Sequence, residues 1–197
     1  WSKGTAIMFA VGAVSGTVLS FELGLLWPRF MELAGPIIGM PFSLEGFAFF
    51  LEAIFLGLYL YGWDRLSAGL HMACGVGVAV CGLLSAVFVM AVNAWMNTPA
   101  GFVLREGVLV ELDLWKAFFS PAFFSQAFHM AVAAYSSVAF LVLGIHAWGR
   151  LRDPGSRFHE AALQIAFVFA LVTVPLQILS GDLAAKHLAE HQPVKLA

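Results

Sequence analysis

The chain has 197 residues, of which 61% are hydrophobic and only 11% are charged. Soluble domains carry about 25% charged residues, so this composition excludes an ordinary soluble enzyme or binding domain and indicates a membrane protein. The formal net charge is −2, and no cluster of basic residues indicates a nucleic-acid partner.

Hydrophobic length predicts five membrane-spanning helices. A bilayer core is about 30 Å thick and is crossed by about 20 apolar residues. Five apolar runs reach that length, approximately Thr5–Leu26, Leu44–Trp63, Ala68–Trp95, Ala117–Trp148 and Ala161–Leu179. The runs do not alternate between polar and apolar residues, so they do not predict a β-barrel. The predicted fold is an all-α, polytopic membrane helix bundle that forms a single domain over residues 1–197.

The connections between these runs predict the orientation. The lysines and arginines divide equally between the two sides of the membrane, five on each. The members of one set lie in short connections, and we assign their side to the cytoplasm. They are Lys3, Arg65, Arg150, Arg152 and Arg157. On the other side, the longest polar connection, Asn97–Lys116, contains a Thr-Pro-Ala-Gly turn signal and predicts a surface hairpin or an amphipathic segment.

Two cysteines share the third apolar run. Cys74 and Cys81 lie seven residues apart, which is about 10 Å along a helix and too far for a disulfide. We interpret them as small packing residues.

Two glutamates interrupt the second run, "SLEGFAFFLEAIFLG". Glu45 and Glu52 lie seven residues apart, so they share a helical face to within about 20°. An ionised carboxylate in hydrocarbon costs several kcal/mol, and such residues mark proton or ion routes or cofactor contacts. For Glu45 an alternative is an interfacial position that caps the helix beside Ser43. Glu52 is deeper in the run, and a functional role is the stronger prediction there.

Small polar residues in the third run are candidate partners for these acids. Ser85 and Asn93 lie eight residues apart and share a face to within about 80°. Side chains of this kind commonly form interhelical hydrogen bonds in membrane proteins. Both that role and a role in a proton route are open.

Histidine is the other candidate for chemistry. His129 lies inside the fourth run, and a neutral imidazole is a common ligand of haem iron. A packing role with hydrogen bonds is an equal alternative. His71 and His146 lie nearer helix ends, where interfacial or solvated positions are favoured. The other histidines, at positions 159, 187 and 191, are predicted in loops, and no zinc, di-iron or haem c pattern is present.

Several of these segments together resemble a known family. The runs "LEGFAFFLEAIFLGLYLYGWDRL", "HM", "NAWMNTP", "FHMAVAAY" and "VKLA", in this order, resemble subunit I of the cytochrome bd quinol oxidases over the whole chain. Within that family, the glycine- and aromatic-rich character of this sequence is similar to the cyanide-insensitive branch. The resemblance implies a bacterial inner-membrane enzyme that oxidises quinol on the outer side and reduces O₂ to water.

The resemblance also implies cofactors and partners. The cofactors would be a low-spin haem b, a high-spin haem b and a haem d or a b-type replacement. The partners would be subunit II, quinol, O₂ and membrane lipid, with a small accessory subunit as a further candidate and no nucleic acid.

Residue roles follow from the resemblance by position. His129 matches the histidine ligand of the low-spin haem b. Glu45 matches the acid beside the high-spin haem pair, and Glu52 matches the next acid along a proton route from the cytoplasm. Two further polar members of that route are matched by Ser85 and Asn93.

One further position matches the family, one departs from it, and some of the family's haem ligands are expected outside this chain. Lys195, in "VKLA", matches the lysine that opens the quinol-binding loop, and we expect that loop to begin at residues 180–197 on the outer side. Ala53 stands where some members carry a serine that relays protons. The remaining haem ligands are expected before Trp1 and after Ala197, so we interpret the chain as an internal fragment of a larger subunit.

A second class of protein is compatible with the same helices. In a transporter or channel subunit, Glu45 and Glu52 would form an ion path and no haem would be bound. Absorption by reduced haem discriminates between the two classes.

Overall fold

The computed structural model of the protein describes residues 1–196, and its long helices confirm the predicted all-α membrane fold. Five described helices are long and apolar enough to cross a membrane. They are α1 (Ser2–Leu26), α2 (Pro28–Tyr61), α3 (Ala68–Asn97), α5 (Phe123–Arg152) and α6 (Arg157–His191). The shorter elements are α4 (Leu114–Phe118), strands β1 (Val103–Arg105) and β2 (Val108–Val110), and a 3₁₀ turn, Pro193–Leu196. As predicted, Cys74 and Cys81 are buried free thiols.

The second crossing begins much earlier than predicted. Helix α2 starts at Pro28, not at Leu44, and continues through Pro36 and Pro41. Proline is well tolerated at the first helical position, and membrane helices tolerate internal prolines when the freed backbone groups find other partners. Ser43 lies inside the helix, where its hydroxyl donates to the carbonyl oxygen of Gly39 at 2.8 Å.

The last crossing ends later than predicted. Helix α6 continues to His191, so the prediction that it ends at Leu179 and becomes a loop from residue 180 is wrong. A helix is not required to stop where the hydrocarbon ends, and the last turns of α6 are polar. Within them Lys186 Nζ lies 2.6 Å from Asp182 Oδ2, one turn away, which is a pairing that supports an exposed helix.

The fourth apolar run is divided. Helix α4 ends at Phe118 and α5 begins at Phe123, so the predicted continuous helix from Ala117 is wrong at its start. Pro121 lies in the gap, and a proline there cannot donate the backbone hydrogen bond that a continuous helix would need.

The connection after α3 contains the predicted surface hairpin. Strands β1 and β2 pair antiparallel, with Val103 opposite Val110. The two turn residues, Glu106 and Gly107, have φ angles of 49° and 81°. Positive φ at both central positions is typical of a type I′ turn, whose twist matches that of the two strands.

The chain forms two compact units. The first holds Trp1–Asn93 and Pro99–Phe118. Within it, α1 and α2 are joined by Trp27 alone and fold back on each other, since Phe9 early in α1 stacks on Phe49 late in α2 at 4.9 Å between ring centroids.

Helices α2 and α3 meet along a contact that we call the α2–α3 seam. Glycines of α3 lie opposite larger side chains of α2: a Cβ at Gly75, Gly77 or Gly82 would contact Tyr59, Phe55 or Glu52, respectively. The order of these contacts shows that the two helices are antiparallel. Glycine at these positions allows the two helices to approach closely.

The second unit holds Ala94–Thr98 and the chain from Phe119 onward, and α5 and α6 form an antiparallel hairpin within it. Near its turn, His146 is only 2% exposed, and its Nδ1 lies 2.8 Å from His159 Nδ1. The prediction of a solvated His146 is therefore wrong. The histidines at positions 159, 187 and 191 all lie in α6, so the loop prediction is wrong for them too.

Candidate functional site

The structure brings two predicted site residues together in the α2–α3 seam. Ser85 Oγ donates to Glu45 Oε1 at 3.3 Å. Ser85 is 9% exposed and Glu45 is half-buried. Because α2 begins at Pro28, the alternative in which Glu45 caps a helix beside Ser43 is wrong.

A cavity of about 420 Å³ opens beside this pair. Its lining includes Glu45, Ser85, Phe49 and the glycines at positions 12, 16 and 46. A Cβ at any of these three glycines would have no heavy atom within 4 Å, so larger side chains there would extend into open space. The site therefore combines an acid with a concave, largely apolar wall, which is the general character of a cofactor site.

Glu52 lies further along the same seam. Its carboxylate packs over Gly82, where a Cβ would lie 3.1 Å from Glu52 Oε1. Among the described residues, the carboxylate has no hydrogen-bond partner. Gly82 precedes Ser85 by about one turn of α3, so Glu52 and the Glu45–Ser85 pair lie on one line along the seam.

Asn93, the other polar residue predicted in the route, is placed differently. It is exposed, and its Nδ2 donates to Met90 Sδ at 3.5 Å on the same helix. It lies eight residues beyond Ser85, or about 12 Å along the helix axis. The structure does not join it to the Glu45–Ser85 pair, and its role stays a prediction.

His129 lies on α5 and is held by residues of α6. Its Nδ1 lies 2.9 Å from Ser180 Oγ, and the side-chain nitrogen of Gln177 lies 3.0 Å from its Nε2 and 3.2 Å from its Nδ1. A Cβ at Gly181 would lie 3.4 Å from the ring's Cε1, so the backbone of α6 also approaches the ring. We call His129, Gln177 and Ser180 the His129 cluster.

Gln177 and Ser180 are functional candidates that the sequence reasoning missed. Ser180 is 1% exposed, and Gln177 Oε1 is buried without a hydrogen-bond partner among the described residues. The available signal was their spacing in "PLQILSGD": two polar residues three apart share a face of an otherwise apolar helix. Such residues usually face the protein interior.

Lys195 lies in the 3₁₀ turn after α6, and its exposed side chain contacts the end of α3. Its Nζ donates to Asn97 Oδ1 at 2.5 Å. The side-chain amide of Gln192 donates to the backbone oxygen of Asn97. The ends of α3 and α6 therefore meet at Asn97, another contact residue that the sequence reasoning missed.

Comparison with known sequences decides the family. The sequence profile described as "Cytochrome bd terminal oxidase subunit I" matches residues 1–197. The chain belongs to this cytochrome bd subunit I family. The resemblance inferred from the sequence is confirmed, and the chain is a multi-pass membrane protein.

Individual relatives agree with this placement. The chain is 38% identical over 201 residues to the "Putative cytochrome bd menaquinol oxidase subunit I" of Bacillus subtilis, covering 100% of this chain and 45% of that protein. It is 32% identical over 200 residues to the "Cytochrome bd-II ubiquinol oxidase subunit 1" of Escherichia coli, covering 100% of this chain and 39% of that protein.

A solved structure shows the same fold. The bd oxidase from Geobacillus thermodenitrificans superimposes with a TM-score of 0.96 at 43% identity, over 100% of this chain and 46% of that chain. The chain thus spans less than half the length of the cytochrome bd relatives that it matches.

Proposed function

We propose that this chain is part of the haem-carrying subunit of a terminal quinol oxidase, where it holds one haem and conducts protons toward the site of O₂ reduction. The observation that carries the proposal is the His129 cluster: a half-buried imidazole, fixed from one side by a neighbouring helix, in a chain of the cytochrome bd subunit I family. The activity belongs to the whole subunit and its partners.

The residues around His129 fit a haem iron. Histidine ligands are typically held through the ring nitrogen that does not bind the metal. Ser180 contacts Nδ1, so Nε2 is the nitrogen that would bind the iron of the low-spin haem b. When bound, haem supplies one-electron transfer, and the protein sets its potential through the ligand and its surroundings.

Glu45 would lie beside the high-spin haem pair, a haem b with a haem d or a b-type replacement. The open cavity at its side and the absence of side chains at three lining glycines support this assignment. Its carboxylate would both contact a haem and deliver protons to it.

Glu52 would receive protons from the cytoplasm and pass them along the seam. Its carboxylate has no fixed hydrogen-bond partner among the described residues, which leaves it available to bind and release a proton. Ser85 can donate and accept at once, so it can bridge a proton to Glu45. Ala53 has no hydroxyl, and a water would take the place of the serine that some family members use.

Lys195 would contact quinol on the outer side of the membrane. An ammonium group is a triple hydrogen-bond donor that can bind a quinol oxygen or stabilise negative charge as protons leave. Relatives named for menaquinol and for ubiquinol support quinol as the substrate class. The subunit would work in a bacterial inner membrane with a subunit II.

The test is spectroscopic and kinetic. The full-length subunit is purified with its partners, reduced with dithionite and assayed for quinol-dependent O₂ consumption. We expect the absorption bands of reduced haem and quinol oxidation that depends on O₂. A colourless protein that conducts ions would reject the proposal in favour of a transporter or channel subunit.

A further inference from the structure

We propose that Ser180 and Gln177 are a positioning pair that fixes the tautomer of His129 and tunes the potential of its haem in opposite directions. The inference rests on the proposed function, in which His129 binds haem iron. Neither residue belongs to the segments that carry the family resemblance.

The serine decides which ring nitrogen is protonated. Ser180 Oγ lies 3.1 Å from the carbonyl oxygen of Gln177, which can only accept, so the single hydroxyl hydrogen is directed there. Toward His129 Nδ1, at 2.9 Å, the serine oxygen is then an acceptor, and Nδ1 must carry the hydrogen. A neutral imidazole has one N–H, so the lone pair is on Nε2.

The burial of the serine supports this arrangement. Ser180 is 1% exposed, so water does not compete for its oxygen. A hydrogen bond accepted from Nδ1–H raises the basicity of the ring. A more basic ligand stabilises the oxidised iron, so Ser180 lowers the midpoint potential of the haem.

Gln177 acts on the same ring with the opposite sign. Its side-chain nitrogen lies within 3.2 Å of both ring nitrogens, which point in different directions. One amide group cannot align with both, so it lies against the ring between them. Its N–H groups carry positive partial charge toward the ring, which disfavours the oxidised iron and raises the potential.

The experiment uses the full-length oxidase complex with three single variants: Ser180→Ala, Gln177→Leu and, as a matched control, Thr173→Val. Thr173 is a buried hydroxyl residue on the same helix, and within the described part of the chain its side chain donates only to the backbone oxygen of Phe169. The readouts are the midpoint potential of the low-spin haem by spectroelectrochemical titration and its retention when apomyoglobin competes for haem.

We expect Ser180→Ala to shift the potential upward and to weaken haem retention about 10–100-fold, since loss of an outer contact to a metal ligand typically has this effect. Gln177→Leu should shift the potential downward. Thr173→Val should leave both quantities at the wild-type value. Equal potentials in Ser180→Ala and Thr173→Val would overturn the inference.

Two further variants keep the outcome decisive. If Ser180→Ala does not assemble, Ser180→Cys is measured instead, because sulfur is a weak acceptor and the upward shift should persist; an unshifted cysteine variant also overturns the inference. Retention of the low-spin haem in His129→Ala would instead defeat the proposed function. Loss of the haem there, with an unshifted Ser180 variant, rejects the positioning pair alone.

Discussion

The α2–α3 seam and the His129 cluster hold their titratable side chains in contrasting ways. In the seam, Glu52 packs over a glycine without a hydrogen-bond partner among the described residues, and Glu45 has a single bond of 3.3 Å, longer than is usual between oxygens. In the cluster, two side chains of α6 contact one imidazole at 2.9–3.2 Å. A proton carrier must exchange partners, whereas an iron ligand must keep its position. The contrast matches these two requirements.

Removal of the fixed ligand should have the largest effect. His129→Ala should abolish the low-spin component of the reduced-minus-oxidised spectrum while other haem signals persist, because it removes the proposed iron ligand. His71→Ala is the control, since His71 also lies at a helix contact, with its Nε2 2.9 Å from the carbonyl oxygen of Tyr59. A spectrum that is unchanged in His129→Ala contradicts the assignment.

Removal of the titratable proton in the seam should stop turnover without loss of haem. Glu52→Gln keeps the shape of the side chain, and we expect O₂ consumption to fall about 100-fold or more, which is the usual size of a lost proton-transfer step. Glu32→Gln, at an exposed position of the same helix, should retain wild-type rates. If the fully assembled Glu52→Gln oxidase turns over normally, the seam does not carry the protons.

The sequence predicted the crossings and the polar residues, but not the way in which neighbouring helices hold them. Apolar length counts the residues that the bilayer needs, and it therefore located five helices. It did not find the observed start of α2 at Pro28 or the observed end of α6 at His191. Prolines and polar residues are compatible with helix once tertiary contacts or water satisfy the backbone, and apolar length does not register this.

The residue types at the two sites show the same limit of prediction from sequence alone. The acids and His129 were found because a charged or metal-binding group in an apolar run is costly and conspicuous. Ser180 and Gly82 were not, because a serine or a glycine in a membrane helix is ordinary until the opposite helix is placed. The contact of His146 with His159 likewise depends on the α5–α6 packing.

Substitution of Glu45 tests whether the seam adjoins a cofactor at the point where Ser85 donates a long hydrogen bond to this carboxylate. Glu45→Ala should change the spectra or the occupancy of the high-spin haems, because the carboxylate borders the cavity at that point. Ser43→Ala is a suitable control, since among the described residues that hydroxyl donates only to the backbone of its own helix. Unaltered high-spin spectra in Glu45→Ala would leave the residue with a packing role.

Lys195 is exposed, unlike Glu52 in the seam and unlike His129, which α6 holds from one side, and a moderate effect is expected. Lys195→Ala should raise the KM for quinol, with haem content intact and normal O₂ reduction from an artificial donor that bypasses quinol. Lys116→Ala removes another exposed lysine and should not change the KM. Identical quinol kinetics in the two variants would return Lys195 to the solvated surface.

The smallest effect on turnover is expected at Gly82. Substitution there also tests the contrast between the seam and the His129 cluster most directly. An added Cβ would lie 3.1 Å from the carboxylate of Glu52, and at Gly75 of the same helix it would lie 3.1 Å from the ring of Tyr59. In both variants, Gly82→Ala and Gly75→Ala, the neighbouring side chain must shift by a few tenths of an ångström to admit the new methyl group. Only Gly82→Ala should also slow turnover per haem, because it restricts the side chain that must reorient with its proton. Thermal denaturation and quinol-dependent O₂ consumption are measured on both variants. Equal turnover of the two variants would show that Glu52 does not need the room that the missing Cβ of Gly82 leaves beside its carboxylate, and the seam would then differ from the His129 cluster in packing but not in function.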